Sequence, residues 1–333
     1  MEGMFYPSRP QWPRPGIVVI GIIAASIAAW IAWTVLAGAP QADAVAGQFV
    51  VPLGTTQAAV ADKLAAEGFV KHAQVFARLS ALRGSVQPGG YTIAKDMNAW
   101  QVAGALAQQP SAAWVIIPEG LRKEEIADLL ARSLGWTDAK KSEWLTVDTV
   151  SPSDYREGVY FPDTYLIPLT ESPADVAKRL QNHFEEVFAP YASEALRQNI
   201  RWPTLVKIAS IVQREAAGSS DMPLIAGIIW NRLLGSMRLE IDSTLQYARG
   251  NTGNGWWAPL TAADKKIDSP YNTYLHAGLP PTPISNPGLD AIKAVLHPAK
   301  TDCLYYLHDA SRQIHCSATY ASHLQNISTY LRQ

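Results

Sequence analysis

The sequence predicts an α+β protein in three parts: one membrane-spanning helix, a small βααβ module, and a larger domain of mixed helices and strands with a cleft. Three observations predict this. Residues 16–37 carry no charge, a strand-turn-helix pattern occurs twice, at Val51 and at Ile117, and beyond residue 150 helical patterns alternate with long loops rich in Gly, Pro, Asn and Trp. With 333 residues, of which 48% are hydrophobic and 17% charged, the chain can bury a sizeable core in two folded units.

The uncharged run GIVVIGIIAASIAAWIAWTVLA predicts a transmembrane helix over residues 16–38, since at about 1.5 Å per residue it matches the hydrocarbon thickness of a bilayer. A secretory signal peptide is the competing reading, because Ala42-Asp43-Ala44 imitates a cleavage site. The apolar stretch of a signal is usually shorter, about 7 to 15 residues, which favours an uncleaved anchor. Arg9 and Arg14 precede the helix and the nearest charge after it is Asp43, so the positive-inside rule puts residues 1–15 in the cytoplasm. A linker at residues 39–47 and everything beyond it then lie outside a cytoplasmic (inner) membrane, in the periplasm or cell-wall space.

The 28 basic and 29 acidic residues are interspersed, so no field recruits nucleic acid, and a neutral or weakly charged polymer is the easier partner. The two cysteines and seven histidines show no zinc spacing and no HExxH, so neither a metal site nor a cofactor is expected.

VPLGTTQAAVADKLA from Val51 aligns without a gap on IPEGLRKEEIADLLA from Ile117. In both, a β-branched run leads into a Pro-x-Gly turn and an amphipathic helix. The first copy continues through a helical stretch near residues 71–83 to a Pro88-Gly89-Gly90 turn and a strand at residues 91–93. That order, over residues 48–112, resembles a LysM-like module, a fold often used to hold glycan strands; a structural spacer is the other reading. The second copy opens the main domain, residues 113–333. Its longest loops, residues 249–259 and 279–287, are expected to border the cleft.

Residues 203–217 predict a helix with Pro203 in its first turn and Gly218 ending it. Leu205, Ile208, Ala209, Ile211, Val212 and Ala216 fall on one face, and Lys207, Ser210 and Arg214 on the other. Glu215 lies on the apolar face, where burial and the negative end of the helix dipole both disfavour its charge. A carboxyl kept protonated near neutral pH suits proton donation to a glycosidic oxygen. A structural ion pair, or snorkelling to water, is the plain alternative.

The run Ile208-Ala209-Ser210-Ile211-Val212-Gln213-Arg214-Glu215, followed by Asn231-Arg232-Leu233, resembles the signature of the endolytic murein transglycosylases, the MltG or YceG-like family. Further matches are Ile117-Pro118-Glu119-Gly120, Phe161-Pro162-Asp163-Thr164-Tyr165, Tyr271-Asn272-Thr273-Tyr274, Gly278-Leu279-Pro280-Pro281, Asn286-Pro287 and His297-Pro298-Ala299-Lys300. The resemblance implies a YceG-like transglycosylase domain that cleaves the β-1,4 MurNAc-GlcNAc bond of nascent peptidoglycan strands, leaving 1,6-anhydro ends, as a terminator of glycan elongation. It implies Glu215 as the catalytic acid and base, glycan strands as substrate and cell-wall synthesis enzymes as possible partners. Two departures stand out. Gln213 replaces a usual Glu, and Ser243 replaces the Pro of a Gln-Thr-Asp-Pro-Thr pattern.

Substrate-binding candidates are Asn231 and Arg232, which could bond sugar acetamido groups or orient Glu215, although Arg232 equally suits a helix terminus. Asp242 could stabilise positive charge at C1 or cap a helix beginning at Ser243. Tyr247, Tyr271 and Tyr274 offer flat faces for sugar rings, as do Trp256 and Trp257, while Asn272 enters from the Tyr271–Tyr274 motif. Two other functions compete: a glycoside hydrolase with Asp163, Glu240 or Asp242 as second carboxyl, and a non-catalytic membrane-anchored wall-binding scaffold. Finally, CLYYLH and the segment around Cys316 read as a hairpin. A turn centred between Asp309 and Ala310 would place Cys303 directly opposite Cys316 and permit a disulfide.

Overall fold

The computed structural model describes residues 15–149 and 157–331. The cytoplasmic tail expected for residues 1–15, with Arg9 and Arg14, lies almost wholly outside them. The chain divides into two compact units between Ala113 and Trp114.

The first unit begins with α1 (Pro15–Leu36). Its segment Val18–Leu36 has a mean hydropathy of 2.2 and none of its residues is buried in the protein, so by length and composition it can cross a membrane. Its C-terminal end is tied down: Lys71 Nζ donates to Thr34 O at 3.1 Å and Ala99 N to Ala37 O at 2.8 Å. There follow β1 (Gly47–Val51), α2 (Gln57–Ala66), α3 (Ala73–Ala81), β2 (Gly89–Ile93), α4 (Ala99–Leu106) and β3 (Ala112–Ile116), the last straddling the unit boundary. β1 and β2 pair antiparallel from Gly47↔Ile93 to Val51↔Gly89. This is the βααβ order read from the sequence; α4 was not anticipated, although Asn98 and Gln101 form a capping box at its start. Phe49, Val60, Leu64, Phe76, Ile93, Val102 and Leu106 form the core. Both Pro-x-Gly turns of the sequence repeat place their glycine in the left-handed region, Gly54 at φ 73° and Gly120 at φ 77°, which explains why the turn recurs with that residue.

The second unit contains α5 (Lys123–Leu134), α6 (Asp138–Glu143), β4 (Thr164–Pro168), α7 (Pro173–Arg197), α8 (Trp202–Glu215), α9 (Met222–Leu234), α10 (Asp242–Arg249), α11 (Leu289–Leu296), the hairpin β5 (Tyr305–His308) and β6 (Ile314–Ser317), and α12 (Tyr320–Tyr330). α8 is central, packing on α7, α9 and α11. Leu205, Val206, Ile208, Ala209, Ile211 and Val212 are completely buried. Of the expected polar face, Ser210 is buried too, while Lys207 and Arg214 are part-exposed. Ser210 Oγ accepts from Ile284 N at 3.0 Å and Ser210 O accepts from Ser285 Oγ at 3.1 Å.

The segment 279–287 therefore packs onto α8 instead of bordering a cleft, and Asn286 is its knot. The Asn286 Oδ1 accepts from Gly158 N at 3.0 Å and Tyr160 N at 2.8 Å, while Nδ2 donates to Leu121 O at 3.0 Å and Glu157 Oε1 at 2.5 Å. Glu157, fully buried, also receives the Lys123 amide at the start of α5. Burial pushes its carboxyl up to about 8, aided by nearby Glu124 and opposed by these hydrogen bonds and Arg122. An acid raised in this way holds its proton more tightly folded than unfolded. Stability should therefore fall as pH rises from the ordinary value near 4.5 towards 8, by at most ~1.4 kcal/mol per pH unit. Urea unfolding across that range should show this slope reduced in Glu157→Gln; parallel curves for variant and wild type would refute the assignment.

Cys303 and Cys316 are bonded, with Cα atoms 5.8 Å apart. The expected register is corrected. The turn spans Asp309 to Gln313, with Asp309 N bonded to Gln313 O, so Cys316 lies opposite Tyr306 and not opposite Cys303. Cys303 precedes β5, just before the Leu304 N to Ser317 O bond, and reaches Cys316 from outside the regular ladder. Protein unfolded without reductant should show no titratable thiol; two would contradict the bond.

Candidate active site

α8 ends at Glu215, two residues before the expected end, and Gly218 does not terminate it. The cause is Asp221, whose carboxylate accepts from Ala217 N at 3.0 Å and Gly218 N at 3.2 Å, so that Ala216 turns to extended backbone. Asp221 in turn bonds His308 Nε2 at 2.7 Å. Burial raises the Asp221 carboxyl, but the His308 bond and the two amides outweigh it and hold the group below its usual range.

Released at the helix end, the Glu215 carboxylate meets three donors. Ser243 Oγ donates to Oε1 at 2.6 Å and Ser243 N to the same oxygen at 3.4 Å, while Tyr306 Oη donates to Oε2 at 2.7 Å. The purely apolar setting expected from the helix stripe is thus corrected: the carboxylate is half-buried and faces the start of α10, where unpaired amides favour negative charge. It opens on a cleft of about 310 Å³ lined by Glu215, Arg232, Glu240, Asp242 and a group of aromatic residues, Tyr274, Tyr305, Tyr306, Tyr320 and His323. Burial, then the neighbouring carboxylates, raises the hydroxyls of Tyr306 (beside Glu215) and Tyr274 (beside Asp242), so both remain protonated donors.

Of the residues singled out in the sequence, Glu215, Arg232, Asp242 and Tyr274 come together here. Arg232 builds the wall: Nε donates to Leu304 O at 2.6 Å, Nη1 to Leu239 O at 2.5 Å, and the guanidinium lies 5.0 Å from the Tyr305 ring. Asp242 is the first residue of α10 and does not cap it; its Oδ1 accepts from Tyr274 Oη at 2.5 Å. The others lie elsewhere. Asn231 spends its amide on Thr301 O and Cys303 O and lines a separate hollow. Asn272 is fully buried, donating to Lys265 O and Ile267 O and accepting from Tyr274 N, so it shapes the loop that presents Tyr274. Tyr247 packs 4.9 Å from Tyr271 under the Arg122 guanidinium, and Tyr271 bonds Thr282. Trp256 and Trp257, from the loop 249–259 expected to border the cleft, cover Arg122 and Arg214. Gln213 accepts from Gly288 N at 3.0 Å, anchoring the chain ahead of α11.

The sequence reading missed Tyr306 as a partner of Glu215 and noted Ser243 only as a departure from a pattern. Nothing local marks Tyr306: it is one of several apolar-run residues, and it meets Glu215 across 91 positions. Asp163, offered as a second carboxyl, bonds His183 at 2.7 Å in a different hollow, whereas Glu240 and Asp242 share the cleft with Glu215.

Comparison with known proteins agrees with this arrangement of elements. A Streptococcus pneumoniae (strain D39) protein named endolytic murein transglycosylase is 28% identical over 84% of this chain and 58% of its own length. One of the same name from Bacillus subtilis is 27% identical over 84% of each chain. The chain thus spans less than three-fifths of the Streptococcus relative. The crystal structure of a YceG-like protein from Listeria monocytogenes superposes with a TM-score of 0.57 at 26% identity, covering 85% of this chain and 99% of that one. The model of the YceG-like family matches residues 49–329, through both units and the whole cleft, and the chain belongs to that family.

Proposed function

We propose that the protein is an endolytic lytic transglycosylase that cuts the β-1,4 MurNAc-GlcNAc bond of nascent peptidoglycan, leaving 1,6-anhydroMurNAc ends and so terminating glycan elongation. One observation carries the reading: the Glu215 carboxylate is held by two hydroxyls at the end of a buried helix and opens on a cleft walled by tyrosines. The names of the Streptococcus and Bacillus relatives support it.

In this mechanism Glu215, protonated, gives its proton to the glycosidic oxygen as the bond from that oxygen to C1 breaks. The C6 hydroxyl oxygen of the same sugar then bonds C1, and its proton returns to the Glu215 carboxylate. One carboxyl serves both steps, and the attacking oxygen needs no placement because the sugar carries it. Asp242 and Tyr274 stand beside the reacting centre, where the Asp242 charge suits a positive C1, and the tyrosine faces suit sugar rings. A hydrolase would need a second carboxylate free to activate water or attack C1. Asp242, bonded by Tyr274 through Oδ1, and Glu240, 3.8 Å from Arg232, are the two candidate carboxyls in the cleft, and the names of the relatives favour the transglycosylase.

α1 anchors the protein in the cytoplasmic membrane with its N-terminus inside and residues 39–333 outside, and residues 48–112 serve as a LysM-like glycan holder. Cell-wall synthesis enzymes are the partners such an anchored enzyme would meet. A reporter fused after residue 60 should be active only outside the cytoplasm; activity inside would reverse the topology. For the activity, the full chain in detergent should shorten purified glycan strands, and strands bound but left at full length would favour the scaffold reading.

A further inference from the structure

The two oxygens of Glu215 are treated differently. Oε1 accepts both the Ser243 hydroxyl, at 2.6 Å, and the Ser243 amide, at 3.4 Å, whereas Oε2 accepts only the Tyr306 hydroxyl, at 2.7 Å, among the described residues. Ser243 is 3% exposed and lies outside the cleft lining, while Tyr306 is part of it. Oε1 is thus turned into the protein and Oε2 towards the cleft. The two partners also differ chemically. A backbone N–H can only donate, so it opposes a proton on the oxygen it faces. A tyrosine hydroxyl can donate to a carboxylate or rotate to accept from a carboxylic acid. Burial and the Glu215 charge keep the Tyr306 hydroxyl protonated, so it retains both options.

Resting on the reading of Glu215 as acid and base, we propose that Ser243 and Tyr306 are its positioning residues. Ser243 anchors Oε1, and Oε2, beside Tyr306, is the oxygen that gives the proton to the leaving oxygen and takes it back from the C6 hydroxyl. Ser243 occupies the second position of α10, where a proline would fit the helix yet supply neither donor. The other charged or titratable groups near the carboxylate are Asp242, Glu240, Tyr274, Arg232, Tyr305, Tyr320 and His323 around the cleft, Arg214 on its own helix, and the Asp221–His308 pair just beyond that helix. Conservative changes at 243 and 306 leave all of them in place.

The test combines the pH dependence of kcat/KM on glycan strands with a ¹³C carboxyl titration of Glu215, assigned by its loss in Glu215→Gln, using the full chain in detergent. Ser243→Ala removes a donor that favours the ionised form. It should move both the alkaline limb of the rate profile and the carboxyl titration to higher pH by about one unit. Ser243→Thr should restore both, and Ser243→Pro should move them further. Tyr306→Phe should also move the titration upward, and in addition lower kcat about tenfold or more with little change in KM, because it acts on the reacting oxygen. Titrations of Ser243→Ala and Tyr306→Phe that overlie the wild type would overturn the proposal. So would equal kcat losses in the two variants, which would remove the distinction between the oxygens. Because the titration reads the hydrogen bonds without turnover, a wild type that cuts no glycan would refute the proposed function while shifted titrations still upheld the positioning roles.

Discussion

Glu215→Gln should lower glycan cleavage by 10²- to 10⁴-fold, the usual worth of a positioned acid or base, while leaving the protein folded. The amide keeps the shape, and its oxygen can still accept from Ser243 or Tyr306. Its nitrogen cannot supply the proton that the leaving oxygen requires, nor take one from the C6 hydroxyl. Because one carboxyl performs both steps, its loss removes the proton donor and the proton acceptor together. Purified variant retaining more than about one per cent of wild-type turnover, with an unchanged unfolding curve, would show that another group does the chemistry.

The largest effect on stability is expected from Asn286→Ala. This side chain closes four hydrogen bonds at once, to the amides of Gly158 and Tyr160, the carbonyl of Leu121 and the carboxyl of Glu157. All of them lie in a region where Asn286 itself and Glu157 are completely buried. Truncation leaves two buried donors, the amides of Gly158 and Tyr160, without their partner, at about 1 to 3 kcal/mol each, whereas Leu121 O keeps the backbone amide of residue 286 and Glu157 keeps that of Lys123. A loss of about 2 to 6 kcal/mol in urea unfolding is therefore expected. A loss below about 1 kcal/mol would mean that the knot is not what holds residues 279–287 against α8.

Much of the fold was legible because it depends on local pattern. The uncharged run became α1, and the paired Pro-x-Gly turns became two strand-turn-helix units because each needs a glycine at positive φ. The βααβ order followed from apolar periodicity. What failed was reasoning that assumed one exposed face for a helix. α8 is covered on nearly all sides, so Ser210, read as polar surface, is a buried anchor for residues 284 and 285. The loop 279–287, rich in proline and asparagine, looked like a cleft border, yet residues 283–287 are buried, because Ser210 accepts the Ile284 amide and the backbone of residues 120 and 121 pairs with that of Asn286.

The site was legible in its centre and less so in its surroundings. Glu215 stood out as an acid on an apolar stripe, and Arg232, Asp242 and Tyr274 reached the same cleft. Asn231 and Asn272 sit beside cleft residues in sequence, but their amides are committed to backbone carbonyls that shape the walls. Tyr306 could not be found from spacing, because its approach to Glu215 depends on how the β5–β6 hairpin lies against the ends of α8 and α10. The disulfide shows the same limit in smaller form. The two cysteines pair, yet the turn is longer than expected, and the bond lies outside the ladder.

Cleavage of glycan strands in water enriched in ¹⁸O tests the central claim most directly, because the two competing reactions differ in where the oxygen on C1 comes from. If the C6 hydroxyl attacks with Glu215 as acid and base, mass spectrometry of the new ends should show 1,6-anhydroMurNAc with no ¹⁸O, and Glu215→Gln should yield almost none. One ¹⁸O at each new reducing end would mean that water attacks C1, and would contradict the account.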